Sequence, residues 1–140
     1  MSQFIPERLD ARGINLATRM AVSNTVAASP AAASETTICT VTIPSNLQVF
    51  QSVILEGQAA WTQGTSATAY TLKLRQTDTS GTTLYSSGLI TAAAALLVNA
   101  GVMGIDASPA AGQVYVLTLT VAAGAATSTV SAATLTATIV

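Results

Sequence analysis

The sequence predicts an all-β protein: a single-domain antiparallel β-sandwich or barrel, jelly-roll-like, with about eight strands and an N-terminal arm. Three observations favour this fold class. The chain has 140 residues, enough for one hydrophobic core. Apolar residues alternate with threonine, of which there are 22, and threonine is a residue that strands favour. Turn-forming Gly, Pro, Ser and Asp interrupt the alternation at short intervals, which is typical of sheet proteins.

Eight segments from Met20 onward carry this alternation, and each is predicted to form one strand. They are residues 20–28, 36–43, 49–62, 66–77, 82–86, 96–103, 114–121 and 129–140. Eight strands separated by short turns indicate two packed sheets or a closed barrel, and eight is the strand number of a jelly roll.

The segment 36–43 is predicted to turn Cys39, Val41 and Ile43 toward the core, while Ile38 falls on the opposite face with the threonines. Pro44 lacks the N–H that a ladder needs, so it is expected to end the strand. Cys39 is interpreted as a small buried hydrophobic residue, because no histidine is present to activate it.

The segment 49–62 is the longest predicted strand. One face of it carries Val53, Leu55, Ala59 and Trp61. Gly57 lies in the middle, where it predicts a bulge or a bend. Trp61 is expected at the rim of the core, and contact with a partner protein or with a sugar is the alternative, since tryptophan is enriched at protein contacts.

The segment 66–77 is predicted to face Tyr70, Leu72 and Leu74 inward, followed by a hairpin turn at residues 78–81. Lys73 and Arg75 then point outward and, with Arg19, would form a small positive surface. The favoured interpretation is that these charges keep an exposed strand soluble and deter unwanted pairing. The alternative is that they form salt bridges with acidic groups of a partner.

The segment 89–105 is apolar and is compatible with a helical turn before a strand or with strand throughout. A membrane-spanning helix needs about 20 strongly apolar residues. Asn99, Gly101 and Gly104 interrupt this shorter segment, so a span is not expected.

Residues 1–19 are predicted to be a separate arm, and residues 20–140 the sandwich domain. The chain has five basic and six acidic side chains, and five of these eleven lie within the first 19 residues. The hypothesis is that the arm becomes ordered on a neighbouring subunit, the alternative being a tail folded against its own domain. The residues expected to make the contact are Phe4, Ile5, Arg8, Leu9, Arg12, Ile14 and Arg19.

The composition indicates an assembly component without catalytic chemistry. Only 8% of residues are charged and the net charge is −1, so copies repel one another weakly and binding to nucleic acid is not expected. There is no histidine and one cysteine, which excludes histidine-based catalysis, zinc fingers and a disulfide framework. We therefore expect no enzyme activity, no metal and no cofactor. No apolar segment follows the charged start, so no signal peptide is expected and synthesis in a cytoplasm is predicted.

Residues 64–75 (GTSATAYTLKLR) and 112–119 (GQVYVLTL), with the charged arm, resemble small virion proteins of tailed bacteriophages. In particular, the chain is similar to head decoration (cement) or minor capsid proteins. The resemblance implies a homo-oligomer, with a trimer as its most common form, that binds the major capsid protein, stabilises the shell and is located in the virion. It implies no membrane, nucleic-acid or small-molecule partner.

Three other functions fit parts of the sequence. A phage tail, baseplate or fibre subunit would share the composition. A carbohydrate-binding β-sandwich module would use aromatic residues, namely Trp61, Tyr70, Tyr85 and Tyr115. A small hydrolase would need two carboxyl groups about 5–9.5 Å apart in a cleft, drawn from Glu35, Glu56, Asp78 and Asp106.

Overall fold

A computed structural model describes residues 18–24, 30–31, 33–45, 51–64, 68–122 and 127–140. These residues form nine β-strands and no helix. The strands are β1 (Thr18–Asn24), β2 (Glu35–Thr42), β3 (Val53–Thr62), β4 (Thr68–Gln76), β5 (Thr83–Ser86), β6 (Ile90–Ala92), β7 (Leu97–Asp106), β8 (Val114–Val121) and β9 (Thr129–Ile139).

The strands form two antiparallel sheets. The four-stranded sheet has the order β1-β9-β3-β7, and the five-stranded sheet has the order β2-β8-β4-β5, with β6 also paired to β4. Strands β5 and β6 pair with the same strand, so they count as one interrupted strand and the total becomes eight. The chain then pairs first with last: β1 with β9, β2 with β8, β3 with β7 and β4 with β5. A two-stranded ribbon rolled up in this way is a jelly roll, and the predicted fold class is confirmed.

The core lies between the inner faces of the two sheets. The four residues predicted to face inward from β3, Val53, Leu55, Ala59 and Trp61, are buried. Tyr70, Leu72 and Leu74 meet them from β4 and are also buried, as predicted. The ring centroids of Trp61 and Tyr70 are 5.2 Å apart with the planes tilted by 55°, an arrangement that aromatic pairs prefer to face-to-face stacking.

Two expectations about individual positions are wrong. The register of β2 against β8 shifts between Thr37 and Cys39, and this irregularity turns both Ile38 and Cys39 into the core. Strict alternation predicted that Ile38 faces outward. The prediction fails because one extra residue enters the strand here, and alternation breaks at such a residue. No register shift occurs at Gly57, and the pairing of β3 with β9 shifts between Ala60 and Trp61, where Ser131 of β9 is the extra residue.

The segment 89–105 is strand at both ends and a turn between them. Strand β6 ends at Ala92, a turn follows with Ala95 at φ 55°, and β7 continues to Asp106, three residues beyond the predicted end. In the described residues, no helix is long and apolar enough to cross a membrane. Residues 1–17 lie outside the described residues, and β1 begins at Thr18, two residues before the predicted start.

Candidate assembly surface

Strand β7 is the outermost strand of the four-stranded sheet and exposes apolar side chains. It pairs with β3 on one side, and no further strand follows it in the order of that sheet. On its outer face Leu97, Met103 and Ile105 are 56%, 61% and 58% exposed. Surface residues of this size are common singly, but three on one strand form a stripe.

The edge of the neighbouring sheet extends this stripe. A Cβ atom added at Gly104 would lie 3.3 Å from Tyr85 Cβ, so β5 passes close to β7 at this position. Tyr85 is 45% exposed and lines a shallow depression together with Met103. Leu89 and Leu96 are also exposed, from the connections before β6 and β7. We call these six residues, Tyr85, Leu89, Leu96, Leu97, Met103 and Ile105, the β7 edge surface.

Strand β2, the edge of the five-stranded sheet that lies away from β7, differs in two respects. Its register irregularity turns Ile38 inward, and its exposed positions are the threonines Thr37, Thr40 and Thr42. In contrast, β7 pairs with β3 without a register shift over ten residue pairs. Irregular and polar edges discourage pairing with another chain, whereas a regular apolar edge permits it.

The cations of β4 bind a carboxylate of their own chain. Lys73 Nζ lies 3.0 Å from Glu35 Oε2, and Arg75 Nε lies 2.6 Å from Glu35 Oε1. Thr118 Oγ1 donates a hydrogen bond to Glu35 Oε1 at 2.6 Å. Burial opposes the ionisation of Glu35, but the hydrogen bonds from Arg75, Thr118 and Lys73 outweigh it and lower its pKa to about 2.

Both predicted roles of Lys73 and Arg75 therefore need correction. Strand β4 lies between β8 and β5, so the two side chains are neither on an edge strand nor fully exposed. Their acidic partner is Glu35 on β2, two strands away across β8. Alternation correctly predicted that Lys73 and Arg75 share the outer face. Their ion pairs with Glu35 span three strands and depend on the strand order, which alternation does not reveal.

Trp61 is not a contact residue of this surface. It is fully buried, as are Tyr70 and Tyr115, and of the four aromatic residues weighed for sugar binding only Tyr85 is exposed. The aromatic platform that the carbohydrate-binding alternative requires is therefore not on the surface. The expectation that Trp61 sits at the core rim fails because its ring packs against Tyr70 of the opposite sheet and is fully buried.

The remaining ionisable groups leave the described surface nearly uncharged. Asp106 is buried, and its Oδ2 accepts hydrogen bonds from Tyr115 Oη at 2.8 Å and Gln76 Nε2 at 2.7 Å. Among the Asp, Glu, Lys and Arg residues whose side chains the structure describes, only Glu56 and Asp78 are exposed. The same described residues hold no group of three or more His, Cys, Asp or Glu side chains that could bind a metal.

The predicted arm contacts are placed only in part. Phe4, Ile5, Arg8, Leu9, Arg12 and Ile14 lie outside the described residues. Arg19 belongs to β1, where its backbone pairs with Thr138 of β9. The sequence interpretation did not single out the β7 edge surface, because both faces of the segment 97–105 carry apolar residues and give no clear alternation.

No family model and no curated protein matches the sequence. Among solved structures, a chain of the infectious bursal disease virus Gx strain matches with a TM-score of 0.58 at 8% identity, over 86% of this chain and 33% of that chain. A protein of disulfide-linked Bacillus endospore appendages (pili) matches with a TM-score of 0.37 at 12% identity, over 86% of this chain and 85% of that chain. The STIV major capsid protein matches with a TM-score of 0.34 at 15% identity, over 86% of this chain and 48% of that chain.

The first of these matches bears on the fold. This chain spans about a third of the length of the infectious bursal disease virus chain that it resembles. At this identity the similarity concerns the backbone arrangement and not particular residues. The backbone arrangement described above is therefore shared with part of a chain from this virus structure.

Proposed function

We propose that this chain is a structural subunit of a virion, a decoration or minor capsid protein of a tailed bacteriophage that binds and stabilises the capsid shell as a homo-oligomer. The observation that carries the proposal is the surface: an apolar β7 edge on a sandwich with only Glu56 and Asp78 as exposed charges among the described side chains. The jelly-roll fold supports it as well, since capsid proteins commonly use this fold.

The sparse charge favours contact with protein over contact with water. Interface cores are depleted in charged residues, and a net charge of −1 provides little repulsion between copies. A standard interface buries about 800 Å² per partner. At about 25 cal/mol per Å² of apolar area this amounts to gross gains of order ten kcal/mol or more per contact, before the costs of association are subtracted.

The function requires a contact with the shell and a contact between copies. We assign the shell contact to the arm and place its end at residue 17, because Thr18 and Arg19 are the first residues of β1. The partner is the major capsid protein, and the number of copies implied by the phage resemblance is three. Stabilisation by burial needs no catalytic residue, so the proposed protein is not an enzyme and takes no cofactor, and its location is the virion.

Removal of residues 1–17 tests the shell contact. The full chain and the shortened chain are each mixed with capsids assembled without this protein, and then sedimented. We expect the full chain to sediment with the capsids, and the shortened chain to keep its oligomeric mass but stay in the supernatant. Binding by the shortened chain would refute the role of the arm, and failure of the full chain to bind would refute the proposal.

Electron microscopy of complete phage carrying a C-terminal tag on this chain tests the location. Label on the heads is expected. Label confined to tails would overturn the decoration role in favour of a tail, baseplate or fibre subunit. Light scattering of the purified chain measures the oligomeric mass, and a monomer at all concentrations would remove the homo-oligomer from the proposal.

A further inference from the structure

We infer that two copies of this chain join through their β7 strands, which pair antiparallel about a two-fold axis at Gly101 and continue the four-stranded sheet from one copy into the other. The inference goes beyond the proposed function, because it names the contact between copies and its register. It concerns only the isolated protein, so it can fail while the proposed function holds.

Strand β7 lacks the features that prevent edge strands of different copies from pairing. Between Leu97 and Ile105 there is no charged residue and no proline, and the pairing with β3 contains no register shift. Natural sheets protect their edges with charged residues, prolines or bulges. The β2 and β5 edges each have a register shift and the β1 edge carries Arg19, whereas β7 has neither feature, so β7 is the edge suited to pairing.

The exposed residues of β7 are arranged symmetrically about Gly101. With Gly101 on the axis, Leu97 of one copy lies opposite Ile105 of the other, and Asn99 lies opposite Met103. All of these side chains are on the exposed face, since they alternate with inward-facing Val98, Ala100 and Val102. Directly opposite residues on one face of an antiparallel pair contact each other, and apolar pairs stabilise it.

The register with Gly101 on the axis is the only two-fold register that pairs the whole exposed stripe of β7. If the axis moved to Ala100 or Asn99, Ile105 would lie opposite residue 95 or 93, which precede the strand. If it moved to Val102 or Met103, Leu97 would lie opposite residue 107 or 109, which follow it. Only Gly101 keeps both Leu97 and Ile105 within the paired strands.

The rest of the β7 edge surface fits the same symmetry. Tyr85 and Met103 lie at one end of the strand, and Leu96 and Leu97 at the other. A two-fold axis at the centre places the Tyr85 and Met103 end of each copy against the Leu96 and Leu97 end of the other copy. Both apolar clusters are therefore covered in a single contact, and Asp106 lies just beyond the paired residues.

The contact predicts even-numbered and reversible assembly. Nine paired residues extend over about 30 Å. One sheet edge of that length is smaller than a standard interface, so the free protein should associate in a concentration-dependent manner. A two-fold contact also gives an even number of copies in every closed assembly that contains it. A trimer from another surface would become a hexamer.

Cysteine cross-linking of single variants tests the register. A Cβ at Gly101 would lie 3.5 Å from its nearest neighbour, the Gly57 carbonyl oxygen, so the fold has room for Gly101→Cys. We expect this variant to form a disulfide-linked dimer under mild oxidation. Leu97→Cys alone is expected not to form one, because its copies would be about 27 Å apart. A mixture of the Leu97→Cys and Ile105→Cys variants is expected to cross-link.

The controls are the wild type, whose Cys39 is buried, and Thr40→Cys on the β2 edge. Neither is expected to form a disulfide-linked dimer. Failure of Gly101→Cys to cross-link, or cross-linking of Leu97→Cys with itself, would overturn the register. Circular dichroism of each variant establishes that it is folded before its result is used.

A charge on the edge tests the contact without chemistry. Met103→Lys is expected to weaken association about tenfold, because lysine on an edge strand opposes pairing and the apolar side chain of Met103 is lost from both symmetric halves of the contact. Thr42→Lys, an exposed substitution on the other edge, is the matched control and should leave association unchanged. Sedimentation velocity over a concentration series measures both. Equal association of the Met103→Lys variant and the wild type would refute the contact, whereas the proposed function is decided separately by whether the full chain sediments with capsids.

Discussion

Tyr115 donates a hydrogen bond from Oη to Asp106 Oδ2 over 2.8 Å within the core, and so ties the last residue of β7 to the second residue of β8. The other oxygen of Asp106 accepts the backbone N–H of Ser108 at 3.0 Å. Burial, together with the hydrogen bond and the negative charge of Asp106, raises the pKa of Tyr115 well above its usual value. The pair thus joins the two sheets at the end of the candidate edge strand.

Removing this hydroxyl should destabilise the fold without changing its shape. We expect Tyr115→Phe to lower the free energy of unfolding by about 1–3 kcal/mol, because a buried carboxylate loses a donor. Denaturant unfolding measures the change. Tyr85→Phe removes the same hydroxyl from an exposed ring and should have almost no effect, and equal losses in the two variants would contradict the assignment.

Acid should weaken the Glu35 cluster. The unfolded carboxyl titrates near 4.5 and the folded one near 2, so the stabilisation is complete above pH 4.5, declines as the pH falls, and is lost near pH 2. Solvent partly screens the cluster, and we expect the effect to amount to about 1–2 kcal/mol.

The variant Glu35→Gln isolates this effect. Its stability at neutral pH should be lower than that of the wild type, and the gap should narrow as the pH falls through the range between the two pKa values. Glu56→Gln, on the exposed face of β3, is the control and should follow the wild type. A gap that stays constant with pH would show that ionisation of Glu35 is not the cause.

Gly57 should resist substitution because of the opposite sheet. A Cβ at this position would lie 2.7 Å from Leu117 Cδ1 and 3.2 Å from Val102 Cγ2. We expect Gly57→Ala to cost about 1–3 kcal/mol, because the core would be overpacked. Gly101→Ala, on the adjacent strand, meets no contact below 3.5 Å and should be nearly neutral. Thermal unfolding compares them, and equal stability of the two variants would contradict this packing.

Salt should not dissolve the contact between copies. The β7 edge surface contains no charged residue, so screening removes little attraction from it. We expect association to persist or to strengthen at about 1 M salt, as apolar contacts do when salts are excluded from surfaces. Dissociation in sedimentation experiments at that salt concentration would indicate an ionic contact elsewhere.

The sequence predicted the elements that obey alternation. The inward faces of β3 and β4 were predicted residue by residue, because two-sided strands repeat with period two. Ile38 was predicted on the wrong face because a single inserted residue reverses the alternation of inward and outward side chains. The residues of β2 do not indicate where this insertion lies. The bulge predicted at Gly57 is absent, and the glycine is instead required by Leu117 of the other sheet, which local sequence does not contain.

The sites were harder to predict than the strands, because they depend on strand order. Glu35 and Arg75 are 40 residues apart in sequence and meet only because β8 brings β2 and β4 together. Trp61 was predicted at the core rim, with a partner or sugar contact as the alternative, because it ends a strand, but it is fully buried and packs on Tyr70 of the second sheet. The exposed stripe of β7 was hidden by the apolar residues on its buried face.

The strand order also has a consequence for how the chain folds during synthesis. Strand β9 lies between β1 and β3, and β8 lies between β2 and β4, so the last two strands to leave the ribosome occupy the middle of both sheets. Until they arrive, the earlier strands have no ladder partner on those sides and expose unpaired backbone groups. Folding dominated by such distant pairings is slow. Nascent chains that stall before residue 114 should therefore be the form most prone to aggregate and most in need of chaperones.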